Sequence, residues 1–272
     1  MLTAAPYRAF WSEPTSTVDW CEANYEHTRY VAEFFNTASS VCIVAAGVLG
    51  LYWHYQYLEK RFLLCFSSVT LVGLGSMAFH GTLQFELQLL DELPMLYSAI
   101  IMVYILLENK AAPGSRRRFG LWLPLVLGLH AIFVTSLSAF TRGSLQFYLF
   151  HVSFGTLEFA SLYGVYRVQR KRNDKHLSRL FRQGMAAYAV ALALWLADLK
   201  LCDLLSVELP QLGIPNPQLH AAWHILVSYG FYCLLLVVAY DRLLFLGKRP
   251  RLERRLGFIP YLHADPSPRW PG

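Results

Sequence analysis

Histidine, serine and acidic residues interrupt apolar stretches at two places in this sequence, and side chains of these types can form a hydrolytic centre. The first place is SMAFHGTLQFELQLLDELP and the second is LHAAWH; together they supply Ser76, His80, Asp91, His220 and His224. Ser76 precedes His80 by four residues. His220 and His224 have the same spacing, so each pair lies on one face of a helix. These five side chains are the candidate catalytic set.

Three neutral imidazoles form a catalytic zinc site when the fourth position is left to water. The metal lowers the pKa of that water and polarises a carbonyl oxygen. The expected ligands are His80, His220 and His224. Asp91 is the expected general base, because an ionisable group inside an apolar span is costly and usually functional. Ser76 would donate a hydrogen bond to the developing oxyanion, so the set predicts hydrolysis of an amide or an ester inside a membrane.

Other polar residues in the apolar stretches have simpler interpretations. A single histidine in a membrane span is often packed and bonded to a backbone carbonyl, and this is the interpretation for His130 and His151. Glu92 follows Asp91 and points about 100° away around a helix, which makes it a secondary candidate. We expect Asp198 to hydrogen-bond a neighbouring helix or to support a ligand histidine.

The elements that must position these residues are membrane-spanning helices. Of the 272 residues, 55% are hydrophobic and only 15% are charged, whereas about a quarter of a soluble domain is charged. Seven stretches are apolar over the roughly 20 residues that a bilayer requires. We therefore expect an all-α membrane protein, a bundle of seven transmembrane helices. The stretches are 31–54, 62–81, 87–107, 119–138, 144–166, 183–205 and 219–246.

Lysine and arginine are distributed unevenly over the connections between these stretches. If the chain crosses the membrane at each stretch, four of the 24 basic residues lie on one side and the remaining 20 on the other. Positive residues stay cytosolic, so the N-terminus is expected to be luminal and the C-terminus cytosolic. Topology and lipid headgroups then explain the basic clusters without nucleic acid. The expected division is a luminal segment 1–30, a transmembrane domain 31–246 and a basic cytosolic tail 247–272.

This topology places the candidate residues at one depth in the membrane. His80 lies near the luminal end of the second stretch, and Asp91 lies about one turn into the third. His220 and His224 lie at the luminal start of the seventh. Because no spacing within the sequence forces this agreement, it supports a single site built from three helices.

Five segments resemble the alkaline ceramidase family, part of a wider group of seven-span hydrolases that includes the adiponectin receptors. They are PTSTVDWCEANY, VAEFFNTAS, GLGSMAFHGTL, QLLDELPMLYS and LHAAWHIL. The first block and LLDELPM are most similar to type 3 ceramidases. The resemblance implies that ceramide is hydrolysed to a sphingoid base and a fatty acid, in the membrane of the endoplasmic reticulum or Golgi. It implies zinc on His80, His220 and His224, with Asp91 as the base and Ser76 stabilising the oxyanion.

The segment DWCEANYEHTRYVAEFFN offers several hard oxygen ligands. Oxygen ligands close together on a turn suit Ca²⁺ rather than zinc. The alternative is that Asp19 or Asn24 caps a short helix and that Glu22 is solvated. The spacing leaves both open, because it is not that of an EF-hand loop. The resemblance to type 3 ceramidases implies a calcium site on Asp19, Trp20, Glu22, Asn24 and Glu33.

The five cysteines divide by the compartment expected for each. Cys42, Cys65 and Cys233 lie within apolar stretches and are predicted to be packed thiols. Cys21 and Cys202 fall on or near the luminal side, where disulfides persist. We predict that these two pair and tie the N-terminal segment to the end of the sixth span.

Two other functions fit part of the pattern. A receptor of the adiponectin-receptor type would hold a mainly structural metal, but it should carry a larger folded extension than the terminal segments here. A proton-coupled transporter would use intramembrane aspartate and histidine as a relay, with polar residues at several depths. Because the strongest polar set clusters at one end, the sequence favours the zinc hydrolase.

Overall fold

The computed structural model describes residues 8–112, 117–172 and 174–264. Long helices dominate it, and a short hairpin follows the last of them. The helices are α1 (Phe34–Ser39), α2 (Val41–His54), α3 (Lys60–Thr82), α4 (Phe85–Leu107), α5 (Trp122–Phe140), α6 (Gly143–Arg170), α7 (Lys175–Lys200), α8 (Leu209–Gln211) and α9 (Leu219–Phe245). A 3₁₀ turn, Glu108–Lys110, follows α4, and a π turn, Leu204–Glu208, precedes α8. The strands are β1 (Arg251–Arg255) and β2 (Ile259–His263).

Six helical segments in the described ranges are long and apolar enough to cross a membrane. They comprise α1 and α2 together, α3, α4 with its 3₁₀ turn, α5, α7 and α9. The helix α6 has 28 residues, but it is not one of the six. The chain is thus an integral membrane protein built of helices. The seventh span and the orientation of the termini stay predictions.

The helix boundaries differ from the expected stretches at two places. The first stretch is divided into α1 and α2, which meet at the buried Ser40. The sixth stretch was expected to begin at 183, but α7 begins at Lys175 because the Asp174 carboxylate caps it, accepting from the backbone N–H groups of His176 and Leu177. It ends at Lys200, and an irregular segment connects it to α9.

The C-terminal hairpin corrects the expectation of an all-α fold with a simple basic tail. Arg251 pairs with His263 and Arg255 with Ile259, and positive φ angles at Leu256 and Gly257 close the loop. Apolar residues on β2 pack into the main core of the bundle. This burial supplies the free energy that a solvated basic tail would lack. Residues 265–272 of the expected tail lie outside the described residues.

The N-terminal segment 8–33 packs across one end of the bundle. The backbone N–H groups of Thr15 and Ser16 both donate to the Leu83 carbonyl at 3.0 Å. The backbone N–H of Glu33 donates to the His80 carbonyl at 2.9 Å. The main apolar core occupies the other end, where α3 begins. The end covered by the N-terminal segment is called the histidine end below, because α3 finishes there just after His80.

Candidate metal centre and active site

Three histidines converge at the histidine end of the bundle. His80 lies in the last turn of α3, and His220 and His224 lie in the first turns of α9. One ring nitrogen from each falls within 4.8 Å of the others. All three side chains are buried, with exposed fractions of 3% or less. The structure therefore brings together the histidines that the sequence placed at one depth.

The nitrogens inside this cluster are available to a metal. His80 Nε2 and His220 Nδ1 are buried and have no hydrogen-bond partner within the described ranges. The His224 Nε2 atom lies 3.4 Å from Ser76 Oγ. A buried polar atom left unpaired costs about 1–3 kcal/mol, and a zinc ion would remove that cost. The donor set fits zinc, which accepts three neutral imidazoles.

The outer nitrogens of two of these rings are held by polar partners. His80 Nδ1 contacts the Glu33 carboxylate, and His224 Nδ1 lies 2.8 Å from Ser39 Oγ. Such contacts fix the ring orientation and the tautomer of a ligand histidine. The ring of His220 instead stacks on Trp20 with centroids 3.7 Å apart. Each histidine is thus oriented by a residue from the first helix or the N-terminal segment.

Asp198 supports His220 through the backbone. Its carboxylate accepts a hydrogen bond from the backbone N–H of His220, in the first turn of α9. It also accepts from the backbone N–H of Cys21 at 3.2 Å. The first N–H groups of a helix have no partner within it, so Asp198 supplies one. Asp198 thus bonds the first turn of a neighbouring helix, next to a candidate ligand histidine.

Ser76 and Asp91 face one another across the packing of α3 on α4. The two helices approach closely at Gly75, where a β-carbon would come within 2.6 Å of the Leu90 carbonyl carbon. The Ser76 side chain hydrogen-bonds with the Asp91 carboxyl. Ser40 Oγ donates to Ser76 Oγ at 3.0 Å, so the Ser76 hydroxyl accepts from Ser40 and has its own proton for the Asp91 carboxyl.

Glu92 is held in a separate amide network. Its carboxylate accepts from Gln88 Nε2 at 2.8 Å and from Gln146 Nε2 at 2.5 Å. Gln88 Oε1 in turn accepts from the Thr17 backbone N–H at 2.7 Å. These contacts join α4, α6 and the N-terminal segment. Two amide donors therefore hold the Glu92 carboxylate in place.

The five residues of the predicted calcium site are close together in the N-terminal segment. Asn24 Nδ2 donates to Asp19 Oδ1 at 3.0 Å, and the Trp20 backbone N–H donates to Glu33 Oε1 at 3.1 Å. Asn24 Oδ1 is buried without a hydrogen-bond partner in the described part of the chain. This orphaned oxygen and the neighbouring carboxylates fit a hard cation. Over the described ranges, however, the three histidines are the only group of His, Cys, Asp or Glu residues whose ligand atoms converge.

Glu22 has a structural role that the sequence did not suggest. It is buried, with an exposed fraction of 5%, and it accepts from the backbone N–H groups of Phe35 and Asn36 at 2.6 and 2.9 Å. These groups begin α1, so Glu22 caps that helix. Burial, with a smaller contribution from the Glu33 charge, raises the pKa of Glu22 to about 7 against these hydrogen bonds. The alternative of a solvated Glu22 is wrong.

The disulfide is present as predicted. Cys21 and Cys202 are bonded, with their Cα atoms 5.2 Å apart, inside the range that disulfide geometry requires. The bond joins the N-terminal segment to the chain just after α7. Cys42, Cys65 and Cys233 are free thiols, as expected.

Comparison with known proteins identifies the family. A family model described as Ceramidase matches residues 12–263. The chain belongs to the ceramidase family. Alkaline ceramidase 3 of Mus musculus is 34% identical over 277 residues, covering 98% of this chain and 99% of the relative. Alkaline ceramidase of Arabidopsis thaliana is 31% identical and covers 94% and 96%. Alkaline ceramidase YPC1 of Saccharomyces cerevisiae is 31% identical and covers 87% and 80%.

The family membership confirms the resemblance drawn from the motifs and shows that the chain is an enzyme of the alkaline ceramidase type. It favours the hydrolase over the receptor and the transporter. The five segments that carried the resemblance are distributed from the N-terminal segment to α9, and the matched region likewise spans almost the whole chain.

A cavity of about 330 Å³ opens beside the histidines of this ceramidase-family chain. Trp20, Asp91 and His220 line its near end, and the rest of its wall is mostly apolar. His151 also lines it, while His151 Nδ1 bonds the Phe147 carbonyl at 2.8 Å, as expected for a packed histidine. His130 belongs to neither the cavity wall nor the metal cluster. The cavity offers an apolar ligand direct access to the centre.

Several polar residues that support the site were not predicted from the sequence. Asn36 and Ser39 lie in VAEFFNTAS and Ser40 follows it directly; they contact Glu33, His224 and Ser76 respectively. The sequence did carry a signal for them, because Ser39 and Ser40 follow Asn36 by about one helical turn in a mostly apolar stretch. Gln88 and Gln146 gave no comparable signal, since their partners come from distant parts of the chain.

Proposed function

We propose that the chain is an intramembrane zinc-dependent amidase that hydrolyses the N-acyl bond of ceramides, releasing a sphingoid base and a free fatty acid. One observation carries this proposal: three buried histidines offer ligand nitrogens within 4.8 Å of one another at the end of an apolar cavity. The family supplies the substrate class, and the printed names of the relatives agree with it.

His80, His220 and His224 would hold the zinc ion. When bound, zinc would lower the pKa of a water and polarise the amide carbonyl of the substrate. Asp91 lines the cavity at the histidine end, where its carboxylate can take the proton of the attacking water and pass it to the leaving nitrogen. Ser76 receives a hydrogen bond from Ser40, and its own proton, which bonds Asp91, would turn to the substrate oxygen that becomes negative.

The apolar cavity accounts for a lipid substrate. A hydrocarbon chain placed in it leaves water, which contributes about 25 cal/mol per Å² of apolar surface buried. The headgroup then remains beside Asp91 and the histidines. The apolar wall thus holds the hydrocarbon chain of a ceramide, while the amide bond lies beside the residues that would cleave it.

The proposed topology places seven spans with the N-terminus in the lumen. The uneven distribution of the 24 basic residues supports this orientation through the positive-inside rule. The division into segment 1–30, domain 31–246 and tail 247–272 follows from it. The oxidised Cys21–Cys202 pair fits a luminal histidine end. We place the protein in the membrane of the endoplasmic reticulum or Golgi, by resemblance to its family.

A calcium ion bound by Asp19, Trp20, Glu22, Asn24 and Glu33 is proposed as a structural or regulatory cofactor. The buried Asn24 Oδ1, which has no partner in the described part of the chain, supports it. Glu33 would link this ion to the histidines, because its carboxylate contacts both His80 and the Trp20 backbone N–H. A cation at this position would hold the N-terminal segment against the metal centre.

The proposal is tested by hydrolysis of a defined ceramide by purified protein, with zinc content measured on the same samples. Wild type should release equal amounts of sphingoid base and fatty acid. His80→Ala and His224→Ala should lose both zinc and turnover. His130→Ala is the matched control, because it removes an intramembrane histidine outside the cluster and should keep both. Full turnover in His80→Ala would overturn the zinc assignment.

A further inference from the structure

A second polar group lines the cavity far from the histidines. Glu92 lines the cavity at the histidine end. Its carboxylate bonds Gln146, which marks the position of that end along α6. Glu158 also lines the cavity, and it lies 12 residues further along α6, which is about 18 Å along the helix axis. The helix α7 runs back toward the histidine end, where Asp198 contacts His220. Tyr188 of α7 also lines the cavity. It precedes Asp198 by ten residues, which is about 15 Å along the helix axis.

Glu158 and Tyr188 form a hydrogen-bonded pair at this far end. Tyr188 Oη donates to Glu158 Oε2 at 2.7 Å. The pair sits among apolar side chains of the cavity wall, including Phe159 and Leu162. Glu158 is 8% exposed, and within the described ranges its Oε1 atom has no hydrogen-bond partner. That oxygen is therefore a polar atom, without a protein donor, that a ligand meets in this part of the cavity.

The position of the pair is set by helix packing. Gly230 of α9 lies against Tyr188, and a β-carbon there would come within 3.0 Å of Tyr188 Cδ2 and 3.2 Å of its backbone nitrogen. The tyrosine ring thus occupies space that only glycine leaves open. Because Tyr188 is fixed in this way, the Glu158 carboxyl is held at a defined distance from the catalytic end.

A hydrocarbon chain that reaches Glu158 covers Oε1 and offers it no hydrogen bond. Leaving a buried polar atom unpaired is costly, whereas a shorter chain leaves Oε1 open to water. We propose that the Glu158–Tyr188 pair limits the length of the hydrocarbon chain that this cavity accepts. The inference rests on the proposed function, since it takes the histidine end as the place where the amide bond is cleaved.

A ceramide carries two hydrocarbon chains. The Glu158–Tyr188 pair should disfavour a long chain in whichever of the two enters the cavity. The test therefore uses two substrate series on purified full-length protein. One varies the saturated acyl chain with a fixed sphingoid base, and the other varies the sphingoid base with a fixed acyl chain. The measured quantity is the ratio of kcat/KM for the longest chain to kcat/KM for the shortest. Each ratio comes from one protein sample, so a partly unfolded variant does not distort it.

Glu158→Leu removes the carboxyl and should raise the ratio about tenfold or more in one series, a change of about 1.4 kcal/mol. Glu158→Gln keeps a polar partner for Tyr188 and should leave the ratio within about twofold of wild type, on the same reasoning about unpaired groups. Tyr188→Phe leaves both carboxyl oxygens without a protein donor and should lower the ratio. If Glu158→Leu does not fold, the ratio measured for Tyr188→Phe tests the inference.

The inference is overturned if Glu158→Leu gives the wild-type ratio in both series, or if Tyr188→Phe leaves the ratio unchanged or raises it. Failure of the proposed function looks different. In that case wild type would hydrolyse no ceramide, or His80→Ala would remain active. A wild type that depends on His80 but shows no effect of Glu158 would remove the length limit alone.

Discussion

The ring nitrogens that each histidine turns toward the cluster are determined by the residue that holds the opposite side of the ring. Ser39 Oγ lies 2.8 Å from His224 Nδ1, and the Glu33 carboxylate contacts His80 Nδ1. With these nitrogens engaged, the other nitrogen of each ring faces the cluster. Loss of such a partner typically weakens metal binding about 10–100-fold.

Ser39→Ala should therefore weaken zinc binding by about 10–100-fold without abolishing it. The measurement is competition for zinc between the purified protein and a chromophoric chelator. Ser161→Ala is a suitable control, because Ser161 is a buried serine of α6 outside the cluster. Equal zinc affinity in Ser39→Ala and wild type would show that Ser39 does not orient His224.

At the scale of helices, the approach of α3 to α4 sets the distance between Ser76 and Asp91. A β-carbon at position 75 would come within 2.6 Å of the Leu90 carbonyl carbon and 2.9 Å of the Asp91 nitrogen. Backbone atoms cannot move aside as the end of a flexible side chain can. The two helices would have to separate, and the serine and the aspartate would separate with them.

Gly75→Ala should lower both stability and turnover, because overpacking of this kind costs about 1–3 kcal/mol. Thermal unfolding and ceramide hydrolysis measure the two effects. Gly81→Ala is the matched control on the same helix, since a β-carbon there meets only Thr37 Oγ1 at 4.0 Å. The packing account fails if Gly75→Ala is as stable and active as Gly81→Ala.

An ion pair joins the start of α3 to the end of α9. Arg242 is buried and donates to the Glu59 carboxylate through Nη2 at 2.8 Å and through Nε at 3.1 Å. Burial raises the pKa of Glu59, but the hydrogen bonds and charges of Arg242 and Arg61 outweigh it, so the pKa lies below its ordinary value. A carboxyl with a lowered pKa stabilises the fold above its unfolded pKa of about 4.3. That stabilisation is lost as the pH falls through the folded pKa.

Glu59→Gln should thus destabilise the protein at pH 7 by about 1 kcal/mol, a modest value because Glu59 is partly exposed. Below about pH 4 the difference from wild type should shrink, since the wild-type carboxyl is then protonated too. Thermal unfolding in detergent at several pH values gives the comparison. A difference that stays constant or grows toward acid pH would contradict the ion-pair account.

In the molecule as a whole, the N-terminal segment forms part of the proposed active site. It is attached through the Cys21–Cys202 bond, through the stack of Trp20 on His220 and through Glu33. Removal of the proposed calcium ion from this segment should therefore disturb the three histidines as well as the segment itself.

Calcium chelation by a reagent selective over zinc should lower the unfolding temperature and the turnover of wild type. Asp19→Asn should respond much less, because it has already lost a charged oxygen ligand. Asp19 is the better choice than Glu33, whose carboxylate also contacts His80. The same response in both proteins would argue against a calcium site at Asp19.

Sequence patterns were sufficient to bring the candidate catalytic residues together but not to predict their surroundings. His80, Asp91 and His224 could be placed at one depth from apolar periodicity and the alternation of spans alone. The hairpin was missed because basic residues dominate β1 and conceal the apolar side of β2. The roles of Glu22 and Ser39 depend on contacts across the fold, which no local spacing reports. The start of α7 was misplaced because its first turns are charged and its cap decides the boundary.

The central claim is that a zinc ion on three histidines and the Asp91 carboxylate together cleave ceramide. The most direct measurement is zinc content and sphingoid-base release from purified Asp91→Asn, beside wild type. The account predicts that the variant keeps the zinc of wild type and loses about 10²–10⁴-fold in turnover, the usual contribution of a general base. Zinc-loaded Asp91→Asn with wild-type turnover would contradict it.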